Sequence, residues 1–294
     1  MKAHSPGLAT LLIPVGMLLI AMASIQSGAS LAKTLFPIVG AQGTTAIRLV
    51  FASVIMLAIL RPWRTPFTAS SLRIVLLYGM ALGGMNFLFY IAISKIPLGI
   101  GVALEFTGPL AVALFHSRKL VDFIWIAFAI VGLALLIPLG SANGIDPLGA
   151  AYALGAGVCW AAYIVFGQKA GARHGVQTSA WGVLIGAICV APIGIAHAGA
   201  ALFDPGLIPI AIGLAILSTA LPFSLEMLAM TKIPARTFGT MMSMEPAIGA
   251  LSGFIFLNET LSLIQWLAIL AIMTACAGAT LSSQAQPPAL IAPE

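Results

Sequence analysis

Charge is what this sequence has least of. Only 7% of its 294 residues are Asp, Glu, Lys or Arg, which excludes a soluble globular protein of this size, because such a protein must cover itself with polar surface. Cysteine is almost as scarce. Cys159, Cys189 and Cys276 all lie in apolar runs, with no C-x-x-C pair and no neighbouring histidines, so neither a disulfide framework nor a metal site is indicated, and they read as small packing residues. His4, His116, His174 and His197 sit at segment ends without ligand spacing. No G-x-x-x-x-G-K-[ST] phosphate loop is present, so this chain does not hydrolyse ATP in the usual way. GASLA at 28–32 lacks the second glycine of a nucleophile elbow, and an enzyme is a poor reading. The net charge of +5 does not point to nucleic acid either, since the basic residues are scattered singly between apolar runs and form no patch.

What is there instead is apolar length. Hydrophobic residues make up 61% of the chain, and the mean hydropathy is +1.10. Ten apolar segments of about spanning length occur near 8–32, 44–60, 72–94, 98–115, 122–139, 147–168, 178–197, 206–230, 236–257 and 262–282. Turn-rich breaks such as RPWRTP (61–66), SANGIDP (141–147) and FDPG (203–206) separate them. The expectation is an all-α membrane protein whose partner is the lipid bilayer, with loops too short for a soluble domain. Orientation follows from Lys and Arg. With a cytoplasmic N-terminus, the inside holds Lys2, Arg61, Arg64, Arg73, Arg118, Lys119, Lys169, Arg173, Lys232 and Arg236, and the outside Lys33, Arg48 and Lys95. Both termini are then expected in the cytoplasm, with Asp146, Asp204 and Glu259 facing outward.

A repeat organises these segments. AISKIP at 92–97 returns as AMTKIP at 229–234, and at the same offset of 137 Pro97 and Pro109 fall on Pro234 and Pro246, and Asp122 on Glu259. At an offset of 136, Lys33 falls on Lys169. This predicts two five-helix units, 1–140 and 141–282, followed by a short tail at 283–294. Lys2 before an apolar run and AMA at 21–23 resemble a signal peptide, but the repeat includes the first segment and argues that it is kept. An odd number of crossings turns the second unit upside down. Inverted repeats are a transporter design, in which two similar halves expose a midplane site alternately to each side; the plain alternative is duplication that only enlarged a bundle.

Polar residues inside the apolar segments favour the transporter. Glu105, Glu226 and Glu245 are expensive there, at roughly 2.5–3.5 kcal/mol each near a helix centre, and such residues line cavities unless they form structural ion pairs or caps. Across the repeat Glu105 matches Met242 and Glu245 matches Gly108, so each acid is one helical turn from the other's equivalent. Gln26, Ser30 and Lys33 share a face of the first segment, Asn86 and Tyr90 one of the third, Trp160 and Tyr163 one of the sixth, and Thr219, Pro222 and Glu226 one of the eighth. Pro222 frees a carbonyl for a ligand or hydroxyl. Hydrogen bonding between helices is the alternative for Asn86 and Gln26, and packing for Trp160. GxxxG spacings at Gly79/Gly83, Gly182/Gly186 and Gly249/Gly253 predict close helix approach.

AMASIQSGASLAKTLFPIVGAQGTTAIRL (21–49), GGMNFLFY (83–90), PLGIGVALEFTGPLAVALF (97–115), STALPFSLEM (218–227) and RTFGTMMSMEPA (236–247) resemble the bacterial inner-membrane threonine/homoserine exporters, EamA-type members of the drug/metabolite transporter superfamily. The resemblance runs through essentially all ten segments. It implies efflux of threonine, homoserine and related amino acids, driven by the proton gradient and needing no cofactor or obligate protein partner. Members bear a glycine-glutamate ending on the fourth helix of each unit, whereas this chain has FHSRKLVD (115–122) and FLNETL (256–261). Asp122 and Glu259 are therefore expected as caps that start the fifth and tenth segments. A zwitterionic substrate needs an anion for its ammonium, donors for its carboxylate and a partner for its hydroxyl. Glu105 or Glu226 suits the first, Lys33 or Tyr90 the second, Asn86 or Gln26 the third. Desolvation favours the protonated form of a buried carboxyl, which lets it trade a proton for an ammonium. Export of other amino acids, nucleosides or cationic drugs, and a non-transporting membrane assembly component, stay open as rivals.

Overall fold

The computed structural model describes residues 8–64, 69–115, 121–136, 145–174, 177–230 and 235–282. Among them every regular element is helical, with no strand: α1 (Leu8–Leu60), α2 (Ala69–Ile93), α3 (Leu98–Glu105), α4 (Thr107–Phe115), α5 (Asp122–Leu136), α6 (Pro147–His174), α7 (Gln177–Ala198), α8 (Ile208–Ala215), α9 (Leu221–Met230), α10 (Ala235–Met242), α11 (Glu245–Leu257) and α12 (Leu263–Ser282). Seven stretches are long and apolar enough to cross a bilayer, and Leu98–Val112 and Phe123–Leu135 are apolar but shorter. The count differs from the ten-segment expectation for physical reasons. One of the seven, Ile13–Leu60, takes in the first two expected segments as two helical arms that meet at a non-helical Gly40, while the shorter helices fall below the roughly 20 residues that span hydrocarbon.

α1 is not straight. At Gly40 the backbone takes φ 71°, ψ 169°, a conformation that glycine adopts without a Cβ penalty. The consequence is a fold-back. Gly28 and Arg48 would stand about 30 Å apart on a straight helix, yet both meet Ser218: a Cβ on Gly28 would lie 2.7 Å from the Ser218 Cβ, and Arg48 Nη1 lies 3.3 Å from its hydroxyl.

Two further breaks matter for the site. α3 gives way to α4 at Phe106, and α10 to α11 at Ser243–Met244. Pro109 and Pro246 follow the breaks and lack the N–H that would have bonded the carbonyl four residues earlier, which weakens the helix at those points. A third irregularity is the π-turn Ile216–Ala220 between α8 and α9, just ahead of Pro222. Its carbonyls find partners on α1: Leu217 accepts from the Ser24 hydroxyl at 2.6 Å, and Ser218 accepts from Arg48 Nη1 at 3.5 Å.

Packing is inverted relative to a soluble protein. Large apolar side chains such as Phe123, Val158, Phe254 and Leu263 are exposed, whereas Gln26, Thr44, Thr45, Arg48, Glu105, Thr219 and Glu245 are buried. Lipid solvates the first set, and a polar interior then has to be satisfied by its own contacts. Small residues let the rods close up. A Cβ on Gly83 would stand 2.8 Å from the Gly186 Cα, so α2 and α7 touch backbone to backbone at the expected GxxxG positions. At the α2–α6 corner, Asp146 accepts from the Leu148 amide at 2.8 Å, which holds its carboxyl below the usual range, and it pairs with Lys95 at 3.5 Å.

Candidate functional site

The two arms of α1, the breaks and the π-turn surround one cavity of about 100 Å³. α1 supplies Gln26 and Arg48, α2 supplies Asn86 and Tyr90, α3 supplies Glu105, and α6 supplies Trp160 and Tyr163. Ser218 comes from the π-turn, Glu226 from α9 and Glu245 from the first residue of α11. Met85, Phe89, Phe223 and Met242 complete an apolar wall. Eight of the eleven residues expected from the sequence, Glu105, Glu226, Glu245, Asn86, Tyr90, Gln26, Trp160 and Tyr163, line this single space.

The other three do not line it, and each has a visible reason. Thr219 is buried and accepts from Arg48 Nη1 at 3.1 Å; the π-turn shifts the helix register by a residue, so Ser218 takes the lining position that an unbroken 3.6-residue period assigns to its neighbour. Ser30 is buried against Ser252, hydroxyl to hydroxyl at 3.1 Å. Lys33 donates to Glu259, forming an ion pair whose side chains are 18% and 15% exposed. That pair also corrects the reading of Glu259. It does cap a helix, but by accepting from the Leu98 amide at 2.8 Å it caps α3, while α12 is started by a capping box in which the Ser262 amide donates to Gln265 Oε1 at 2.8 Å and the Gln265 amide to Ser262 Oγ at 3.3 Å. Asn258, left-handed at φ 54°, ends α11 and folds Glu259 back so that its amide reaches the Gly253 carbonyl at 3.1 Å. The Asp122 side chain lies outside the described residues.

Arg48 was missed and is the largest correction. A count of loop charges puts it outside, yet it is 3% exposed and forms part of the cavity wall. The signal was available. Arg48 lies inside the apolar segment 44–60, and the rule that singled out the three glutamates applies to it equally. Its Nη1 donates to Ser218 Oγ at 3.3 Å and Thr219 Oγ1 at 3.1 Å, its Nη2 donates to Asn86 Oδ1, and its guanidinium lies 4.6 Å from the Tyr90 ring centroid. Asn86 is oriented for this by donating its own amide to the Leu82 carbonyl at 2.8 Å.

The carboxyls are held more loosely. Gln26 Nε2 donates to Glu245 Oε1 at 3.0 Å, joining the first arm of α1 to the start of α11. Gln26 Oε1, Arg48 Nε, Glu226 Oε1 and Glu245 Oε2 are buried with no partner among the described residues. Burying such atoms unpaired costs on the order of 1–3 kcal/mol each, more for charged groups, so their convergence on one wall marks a place where polar contacts are to be made. Trp160 packs edge-on against Phe106 at 4.8 Å, next to the break after Glu105, and Tyr163 stacks on Tyr78 at 4.9 Å.

A lipid-facing exterior around a cavity that carries acids, a guanidinium and amides is the plan of a membrane carrier for small polar solutes. Residues 147–281 match the EamA-like transporter family, and with the relatives that follow this chain belongs to that family as a multi-pass membrane protein. It is 57% identical over 276 residues to the threonine/homoserine exporter RhtA of Salmonella typhimurium strain SL1344, covering 94% of each chain. It is equally 57% identical over 271 residues to the exporter of the same name from Escherichia coli strain K12, covering 92% of each. These relatives are exporters, not enzymes. One solved crystal structure shares the fold at a TM-score of 0.62 and 19% identity, covering 91% of this chain and 97% of that one.

Proposed function

We propose that this chain exports threonine, homoserine and related small amino acids across the bacterial inner membrane by alternating access, exchanging them for protons. The observation that carries the reading is the cavity itself. Its acids suit an ammonium, its guanidinium a carboxylate, and its amides and hydroxyls a side-chain hydroxyl, within a space of about 100 Å³ suited to a small solute. The names of the relatives support the substrate, and the desolvated carboxyls support proton exchange, because each can bind either a proton or a cation. The guanidinium in the wall weighs against a cationic drug.

In this reading the chain crosses the membrane ten times, as two inverted five-helix units at 1–140 and 141–282, with both termini and the tail at 283–294 in the cytoplasm. The helix breaks support it. Phe106 and Ser243 are 137 positions apart, the offset that separates AISKIP from AMTKIP, and interrupted helices at corresponding positions of two halves are what inverted-repeat carriers use to build a midplane site. The family match over 147–281 has the extent of one such unit. Removing Arg48 from the loop charges leaves only Lys33 and Lys95 outside and so sharpens the bias.

Overexpression tests the substrate in cells. Tolerance to toxic external homoserine or threonine is expected to rise severalfold, because an exporter lowers the cytoplasmic pool. An equal rise for unrelated cationic dyes would transfer the assignment to the drug reading.

A further inference from the structure

We propose that Arg48 is the residue that reads the substrate's carboxylate, so that this carrier selects molecules with a free carboxylate. This inference rests on the amino-acid export reading above. Arg48 is buried at 3% exposure and forms part of the cavity wall. Its hydrogen-bond and ring partners among the described residues are neutral, Ser218 and Thr219 on the π-turn, Asn86 on α2 and the face of Tyr90, while Glu105 is near enough to act on its charge. Among the described residues the ion pairs are Lys33–Glu259 and Lys95–Asp146, so the guanidinium has no carboxylate at bonding distance although Glu105, Glu226 and Glu245 line the same space.

The neutral contacts orient the guanidinium without discharging it. Nη1 and Nη2 are held from two elements, α2 and the π-turn, which fixes the plane of the fork, while Nε–H has no partner among the described residues. A guanidinium offers five donors in a rigid plane that matches a carboxylate side-on. A desolvated cation oriented by dipoles, on a residue that lines a solute-sized cavity and with one buried donor still unmatched among the described residues, is complementary to a small anion. The glutamates supply the opposite pole. Gln26 holds Glu245 Oε1 while Glu245 Oε2 and Glu226 Oε1 have no partner among the described residues, so the same wall carries both a guanidinium and carboxyls, as a zwitterion requires. Asn86 and Ser218 then act as positioning residues, because they touch the guanidinium and set its plane.

The test uses purified protein in vesicles, with labelled threonine exchanging against unlabelled competitors. Threoninol, in which the carboxylate is reduced to a hydroxymethyl group, keeps the ammonium and the side-chain hydroxyl. In the unmodified protein threonine is expected to compete about tenfold or more better than threoninol, the size of a lost charge-assisted hydrogen bond. Arg48→Gln is expected to erase that preference by weakening threonine without weakening threoninol, and Arg48→Lys to retain part of it. Threoninol competing as well as threonine in the unmodified protein overturns the proposal and leaves export standing. A preference that persists undiminished in Arg48→Gln also overturns it, and returns Arg48 to balancing the charge of the glutamates. Absence of any threonine exchange in the unmodified protein removes the export reading, and this inference with it. The comparison on the unmodified protein does not depend on any variant folding.

Discussion

Replacing Glu105 or Glu226 by Gln keeps the shape of each side chain and removes only the capacity to carry charge or a proton. Both residues line the cavity, and neither forms an ion pair among the described residues. Each variant is therefore expected to lower efflux driven by a pH gradient by about tenfold or more, the scale of one charge-assisted contact. The two roles separate in the assay. A proton carrier turned to Gln still exchanges labelled for unlabelled substrate but loses gradient-driven transport; an ammonium ligand turned to Gln loses both. Full gradient-driven transport in both variants would return these carboxyls to a structural role. At this scale the sequence was informative wherever a polar residue interrupts an apolar run, because the cost of burial does not depend on the fold. It failed for Ser218, since nothing in STALPF reveals that a π-turn will shift the register by a residue, and for Arg48, where the same rule was available and was overridden by the loop-charge count.

Among the elements, the face of α1 that holds Gln26, Ser30 and Lys33 acts mainly as a seam. Its residues meet Glu245, Ser252 and Glu259 in the same order along α11 and the turn after it, so only the first reaches the cavity. Lys33 is also within 3.5 Å of the Ile96 carbonyl, and Glu259 holds the Leu98 amide. The Lys33–Glu259 pair thus ties α1, α3 and the end of α11 together. Being partly exposed, it costs less to break from one side than a buried pair and more than a surface one. Lys33→Ala is expected to cost about 1–2 kcal/mol in thermal unfolding in detergent, with part of the loss recovered in the Lys33→Ala, Glu259→Ala double variant. Threonine half-saturation should stay within about twofold. A variant of unchanged stability with strongly weakened threonine exchange would instead make Lys33 a substrate ligand. The face itself was legible from its spacing. Which neighbour it meets was not, because contacts more than 200 positions apart depend on how the rods are arranged and leave no local signature.

For the whole molecule, segment positions and their apolar character follow from length and composition, and the all-helical architecture agrees with them. The fold-back at Gly40 falls in the gap between the expected segments 8–32 and 44–60, so a turn of the chain there was legible, while the residue that makes it was not. The proposed inverted repeat gives the breaks at Phe106 and Ser243 a common purpose: each half brings an interrupted helix and a carboxyl, Glu105 or Glu245, to the same cavity, so a rearrangement of one half against the other re-exposes one site without rebuilding it. The central claim is that this one chain moves small zwitterionic amino acids. It is tested most directly by counterflow in proteoliposomes containing this protein alone, preloaded with unlabelled threonine or homoserine and diluted into a trace of labelled threonine. The account predicts transient accumulation of label above equilibrium, abolished when the preloaded substrate is omitted and competed by homoserine. Accumulation driven by a nucleoside or a cationic dye but not by threonine or homoserine, or no accumulation with any solute, would contradict it.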